Sequence, residues 1–167
     1  MKRILTKLIL WGMLFALSTE IFGNFIINQM SYQLLLIIIP IYTLFFLISF
    51  IIYIRLKLSP RFFSLIIGLF GLIIIENIIL KKFVEPWPIQ IFMFSYWFSI
   101  ISYPLLLLTK SKKILIRPFI IALVLSIISF PILKSISTAL SLFIVIFYIA
   151  SAIGNIFYLK QKNFSNQ

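Results

Sequence analysis

Glu20, Glu76 and Glu85 are the only carboxylates in this 167-residue chain, which has no Cys and no His. Disulfides, thiol catalysis, imidazole bases, His-ligated haem and Cys/His zinc sites are thereby excluded. Hard cations need several oxygen ligands, and three scattered acids do not supply them. The remaining chemistry centres on Glu20 and Glu76, each set inside an apolar run. An acid in that setting is a functional candidate by default, as a proton carrier, a general acid or base, or a counter-ion.

Glu20 belongs to a row. Gly12, Ala16, Glu20, Asn24 and Asn28 recur every four residues, a spacing that forms one connected stripe on a helix. The inner half of the stripe is small, as on surfaces that let membrane helices approach closely. The outer half is polar and costly to expose to lipid, so the stripe is expected to face a bundle interior. A second row carries Ser64, Gly68 and Glu76, with Gly71 beside it. Polar seams also run through Ser95, Ser99 and Ser102, with Tyr103 alongside, and through Thr138, Ser141, Val145, Tyr148, Ala152 and Asn155. The steps of three and four in the last set are those of a packed helix seam.

These rows need helices to carry them. The chain is 63% hydrophobic and 11% charged, against about 45–50% and about 25% in a soluble domain. A core of this size cannot hide that excess, so lipid is the expected solvent. Six continuous runs approach the roughly 20 apolar residues that a spanning helix needs. They cover about 8–27, 34–54, 62–80, 89–108, 114–133 and 136–159. Barrel strands would instead alternate over about ten residues. Expected, then, is an all-α bundle of six transmembrane helices forming one domain over residues 1–167.

The net charge of +12 is distributed as a topology signal, not as a nucleic-acid surface. Lys2, Arg3, Lys7, Arg55, Lys57, Arg61, Lys110, Lys112, Lys113, Arg117, Lys160 and Lys162 fall on one side of a six-span chain. The other side receives only Lys81, Lys82 and Lys134. The rich side is cytoplasmic by the positive-inside rule, which places both termini there in a bacterial-type cell membrane. The weakest boundary is Phe130-Pro131 to Lys134-Ser135, where one long bent helix is the alternative. Lys2-Arg3 followed by Leu8–Leu17 also resembles a signal peptide with Ala16-Leu17-Ser18 as cleavage site, but apolar character resumes from Ile21 to Ile27 and favours a full span. In the second run Pro40 leaves the Leu36 carbonyl without its helical partner and bends the helix.

In this arrangement Glu76 comes five residues before Lys81 and Glu20 eight residues before Asn28. At 1.5 Å per residue, both acids lie roughly 7–12 Å from the outer surface. A ligand site is therefore expected in the outer half, built from Glu20, Asn24, Asn28, Glu76, Trp87 and Lys134. Any of Lys81, Lys82 and Lys134 is placed to partner an acid, with Glu76–Lys134 the preferred pair. The loop Lys81–Pro88 stiffens Trp87 between two prolines, either over that site or as an interfacial anchor. Trp97, Tyr32, Tyr103 and Tyr158 are read with it as aromatics near helix ends. Gly12, Ala16, Gly68, Gly71, Thr138, Ser141 and Ala152 are the expected packing seams.

Three functions fit. The first is a small-molecule-binding or transport-related membrane subunit with an outward-facing polar pocket. In size and span count the chain resembles the substrate-binding subunits of energy-coupling-factor transporters, without their motifs. The second is an accessory scaffold binding partner helices from other membrane subunits. The third is an intramembrane enzyme acting on a lipid or isoprenoid with Glu20 or Glu76 as acid or base; the lack of a second catalytic group at motif spacing disfavours it. No metal, cofactor or nucleic-acid partner is expected.

Overall fold

The computed structural model describes residues 2–21, 35–79, 81–108 and 113–161. Six helices and no strand occur among the described residues. They are α1 (Lys2–Glu20), α2 (Leu35–Leu56), α3 (Pro60–Phe70, continued as a π-helix over Gly71–Ile79), α4 (Trp87–Leu107), α5 (Lys113–Leu133) and α6 (Ile136–Gln161). Many of these stretches are rich in Ile, a residue that prefers strands in water. In hydrocarbon each backbone N–H must find a partner within its own segment, and helix is what a continuous apolar run then adopts.

Five of the helices, α2 to α6, are long and apolar enough to cross a membrane. The described part of α1 carries Lys2, Arg3 and Lys7 near its start and Glu20 at its end. Residues 22–27 of the run expected there lie outside the described residues.

The bundle is organised around α4. Of its most apolar 18-residue window 72% is buried, against 17–33% for α2, α3, α5 and α6. The cause is composition: Ser95, Tyr96, Trp97, Ser99, Ser102 and Tyr103 are all buried along it. Of the five long apolar helices, the one of lowest mean hydropathy takes the centre, and the more apolar ones face outward. Exposed Ile37, Ile41 and Ile48 on α2 and Ile120, Val124 and Ile127 on α5 present that outer surface.

Pairings fix the directions. Asn77 meets Gln90 while Gly68 meets Phe98, so α3 runs opposite to α4. Tyr42 meets Tyr96 and Phe45 meets Trp97, so α2 runs with α4. Tyr96 meets Tyr148 and Tyr103 meets Ser151, so α6 also runs with α4. Arg117 reaches Tyr158, which makes α5 antiparallel to α6. Short connections force this alternation. A break at Lys134-Ser135 separates α5 from α6, so the single bent helix does not form.

Close approach depends on missing side chains. A Cβ on Gly12 would stand 2.8 Å from the Phe46 ring, and one on Gly68 would stand 2.8 Å from Phe94. Ala16 is fully buried, and Ala152 packs among Phe98, Tyr103 and Leu106. The expected seam on α6 is narrower than its spacing suggested. Thr138 is exposed, and Ser141 bonds back to the Ser137 carbonyl at 3.0 Å. Burial on α6 begins in earnest at Tyr148.

Candidate functional site

Small residues bring α1 against its neighbours, and the next turn delivers Thr19 and Glu20 to the place where α1, α2, α4 and α6 meet. Tyr42 donates its hydroxyl to Glu20 Oε1 at 2.8 Å. The Tyr96 hydroxyl lies 2.7 Å from that of Tyr42. Since the Tyr42 proton is directed at Glu20, the Tyr96 O–H is the donor between the two tyrosines. The chain of donors thus points at the carboxylate, an orientation in which each bond polarises the next. Tyr96 sets its ring edge-on to Tyr148 at 5.2 Å. The Tyr148 hydroxyl closes the circuit on α1, bonding to Thr19 and donating to the Phe15 carbonyl at 3.3 Å.

Glu76 enters from α3. Its Oε1 accepts the Trp97 indole N–H at 3.1 Å and its Oε2 the Lys82 ammonium at 2.9 Å. Both oxygens are engaged, and the residue is 8% exposed. The π-helical winding matters here. Gly71 and Glu76 are five residues apart, and at 3.6 residues per turn they would project in quite different directions. In the wider π turn, closed by bonds from i to i+5, they share a face. Gly71 leaves room for Trp97, and Glu76 receives that indole's N–H.

The two carboxylates meet one aromatic body. Trp97 lies 6.1 Å from Tyr42, 5.5 Å from Tyr96 and 5.2 Å from Phe45 between ring centroids. Tyr42 bonds to Glu20 and packs on the Trp97 ring, whose N–H is held by Glu76.

A latch holds the turn between α3 and α4 beside this region. Lys81 adopts a left-handed conformation (φ 56°), which reverses the chain so that Lys82 N–H returns to the Glu76 carbonyl at 3.0 Å. Gln90 donates to the Lys82 carbonyl at 2.7 Å and accepts from Asn77 at 3.2 Å. Inward along α4, Tyr103 bonds to Ser151, and Asn155 donates to Ser102 at 2.8 Å. These tie α4 to α6.

The sequence-predicted site residues divide accordingly. Glu20 and Glu76 are brought to the same cluster. The ion pair of Glu76 is with Lys82 and not with the preferred Lys134, which occupies the α5–α6 turn. Six residues of separation and a left-handed turn make Lys82 a local partner. Trp87 is 74% exposed at the start of α4 and stands apart from the cluster. Asn24 and Asn28 lie outside the described residues. Of the aromatics grouped with helix ends, Trp97 sits in mid-helix and Tyr103 four residues before the end of α4, and both are buried. Tyr42, Tyr96, Trp97 and Lys82 complete the site. The signal available was the adjacent Tyr96-Trp97 pair nearly halfway along a span, far from the interface where such rings usually anchor.

No group of three or more metal-ligating side chains occurs among the described residues. No family model, no curated protein and no solved structure matches this chain significantly.

Proposed function

We propose that the chain is a small-molecule-binding or transport-related membrane subunit that crosses the cytoplasmic membrane six times with both termini inside. Its outer half would hold a small cationic ligand at Glu20, against the faces and hydroxyls of Tyr42, Tyr96 and Tyr148. The observation that carries this reading is the convergence of Glu20 and Glu76 on one aromatic cluster. A carboxylate beside tyrosine and tryptophan rings is the chemistry that receives an ammonium group, through charge and through the ring quadrupole. Glu76, held by Lys82 and Trp97, braces the cluster. Glu20, which accepts the Tyr42 hydroxyl, supplies the negative charge on the α1 side of the cluster.

The test is equilibrium binding of tetramethylammonium and methylammonium to the purified protein, followed by tryptophan fluorescence and calorimetry. Saturable binding that Glu20→Gln abolishes and Glu85→Gln leaves intact is the expected result. Folded wild-type protein that binds neither probe, or a Glu20→Gln variant that binds as well as wild type, would remove the reading. A stoichiometric protein partner copurifying with such a non-binding protein would move the assignment to the accessory scaffold.

A further inference from the structure

A second site lies at the opposite end of the bundle and has no part in the reading above. A cavity of about 450 Å³ opens between α5 and α6, lined by Arg117, Ser151, Ile153, Gly154, Phe157 and Tyr158 among others. Its mouth and walls differ in chemistry. At the mouth Arg117, exposed, donates one N–H to the Tyr158 hydroxyl at 3.1 Å. A guanidinium has five N–H donors, and the others are available for a planar, two-point grip on a phosphate.

The walls are built for hydrocarbon. Ile153 and Phe157 line the cavity and are themselves 56% and 65% exposed, so it opens sideways toward lipid. A Cβ placed on Gly154 would meet nothing within 4 Å, which leaves a slot along α6. The deeper polar groups are already spoken for: Ser151 bonds to Tyr103 and Asn155 to Ser102. No carboxylate lines the cavity among the described residues. Arg117 lies sixteen residues from the far end of α5 at Leu133, roughly 24 Å. That places it near one face of the bilayer, close in sequence to Lys110, Lys112 and Lys113.

We infer that this cleft binds an anionic glycerophospholipid, its phosphate on Arg117 and Tyr158 and an acyl chain in the Gly154 slot between α5 and α6. Basic pockets between helices at the cytoplasmic surface are suited to such headgroups. The lateral, apolar opening selects a lipid over a dissolved anion.

The experiment is native mass spectrometry of the delipidated full chain, titrated with phosphatidylglycerol, with phosphatidylcholine and with inorganic phosphate. Wild-type protein is expected to retain phosphatidylglycerol about fivefold better than phosphatidylcholine, with no effect of inorganic phosphate. Arg117→Gln should erase that preference. Gly154→Leu should fill the slot and reduce retention of both lipids, while circular dichroism shows unchanged helix content, because the space it enters is open. Equal retention of the two lipids by wild type, an unchanged preference in Arg117→Gln, or displacement by inorganic phosphate would each overturn the inference. The outer-site binding assay reads none of these residues, so the two proposals fail separately.

Discussion

Trp97 fills the space that a side chain on Gly71 would occupy: a Cβ built there would stand 2.6 Å from Trp97 Cβ and closer still to the indole ring. The atoms in the way belong to a buried ring fixed by its bond to Glu76 and by Phe45, Tyr42 and Tyr96, so they cannot move aside cheaply. Gly71→Ala is therefore expected to destabilise the fold by about 1–3 kcal/mol, as overpacking does. It should also shift the tryptophan emission, because the indole leaves its carboxylate. Gly154→Ala is the matched control. It meets open space and should gain about 0.5–1 kcal/mol from the lost backbone freedom of glycine. Thermal unfolding in detergent compares the two, and an equal loss in both would refute the Gly71 contact.

The Glu76–Lys82 pair predicts a coupling and not a large single effect. Its lysine is 40% exposed, so water screens the charge and Lys82→Gln should cost only about 1 kcal/mol. Glu76→Gln removes the charge but keeps an oxygen to accept the Trp97 N–H. Each single variant leaves one charge without its counter-ion, whereas the double variant has neither charge, so its loss should be smaller than the sum of the singles. Strict additivity in a double-mutant cycle would show that the pair does not act as one.

Much of the helical scaffold was legible because lipid imposes a simple rule on long apolar runs. The five helices α2 to α6 start and stop within two residues of the runs read from the sequence. Side-chain partners were less legible, since they depend on register between helices. Glu20 and Tyr42 meet only because Gly12 lets α1 settle against Phe46 of α2. The partner of Glu76 turned on the left-handed Lys81, a conformation that lysine does not announce. The π-helix was invisible for a related reason: the spacing of Ser64, Gly68 and Glu76 suits an α-helical row, yet Trp97 packed on Gly71 goes with the wider turn. Thr138, read as a seam residue from its spacing, is exposed near the start of α6.

Tyr42→Phe should uncouple Glu20 from Tyr96. Both tyrosines are more than nine-tenths buried, and the Tyr96 hydroxyl would lose its acceptor while Glu20 loses a donor. Buried polar contacts in membrane helices are worth about 0.6 kcal/mol on average and up to about 1.7. Tyr42→Phe is expected near the upper figure, because two bonds share one oxygen. Tyr103→Phe, which loses only the Ser151 contact, belongs near the average. Unfolding of both variants under one condition ranks them, and the reverse order would contradict the shared-oxygen chain.

Lys134 offers a test of its assigned place. It sits in the left-handed region (φ 51°) directly after α5, with its N–H on the Phe130 carbonyl at 2.9 Å. A side chain there costs about 1–2 kcal/mol that glycine does not incur. Lys134→Gly should therefore raise thermal stability by about 1 kcal/mol and leave ammonium binding at the outer site unchanged. A partner of Glu76 would behave oppositely, with loss of stability on removal.

The absence of cysteine makes the proposed topology directly testable, since any introduced thiol is the only one present. Val84 is 95% exposed in the turn between α3 and α4, and Lys57 follows α2 at the opposite end of the bundle. In the proposed six-span topology twelve of the fifteen basic residues belong to the Lys57 side, which the positive-inside rule assigns to the cytoplasm. Val84→Cys should react with a membrane-impermeant maleimide in intact cells, and Lys57→Cys should react only after permeabilisation. The same two sites in a Lys-to-Gln background at positions 110, 112 and 113 should show mixed labelling, because the orienting charge has been thinned. Labelling of Lys57→Cys from outside in the unmodified background would invert the bundle. The Glu20 cluster would then face the cytoplasm.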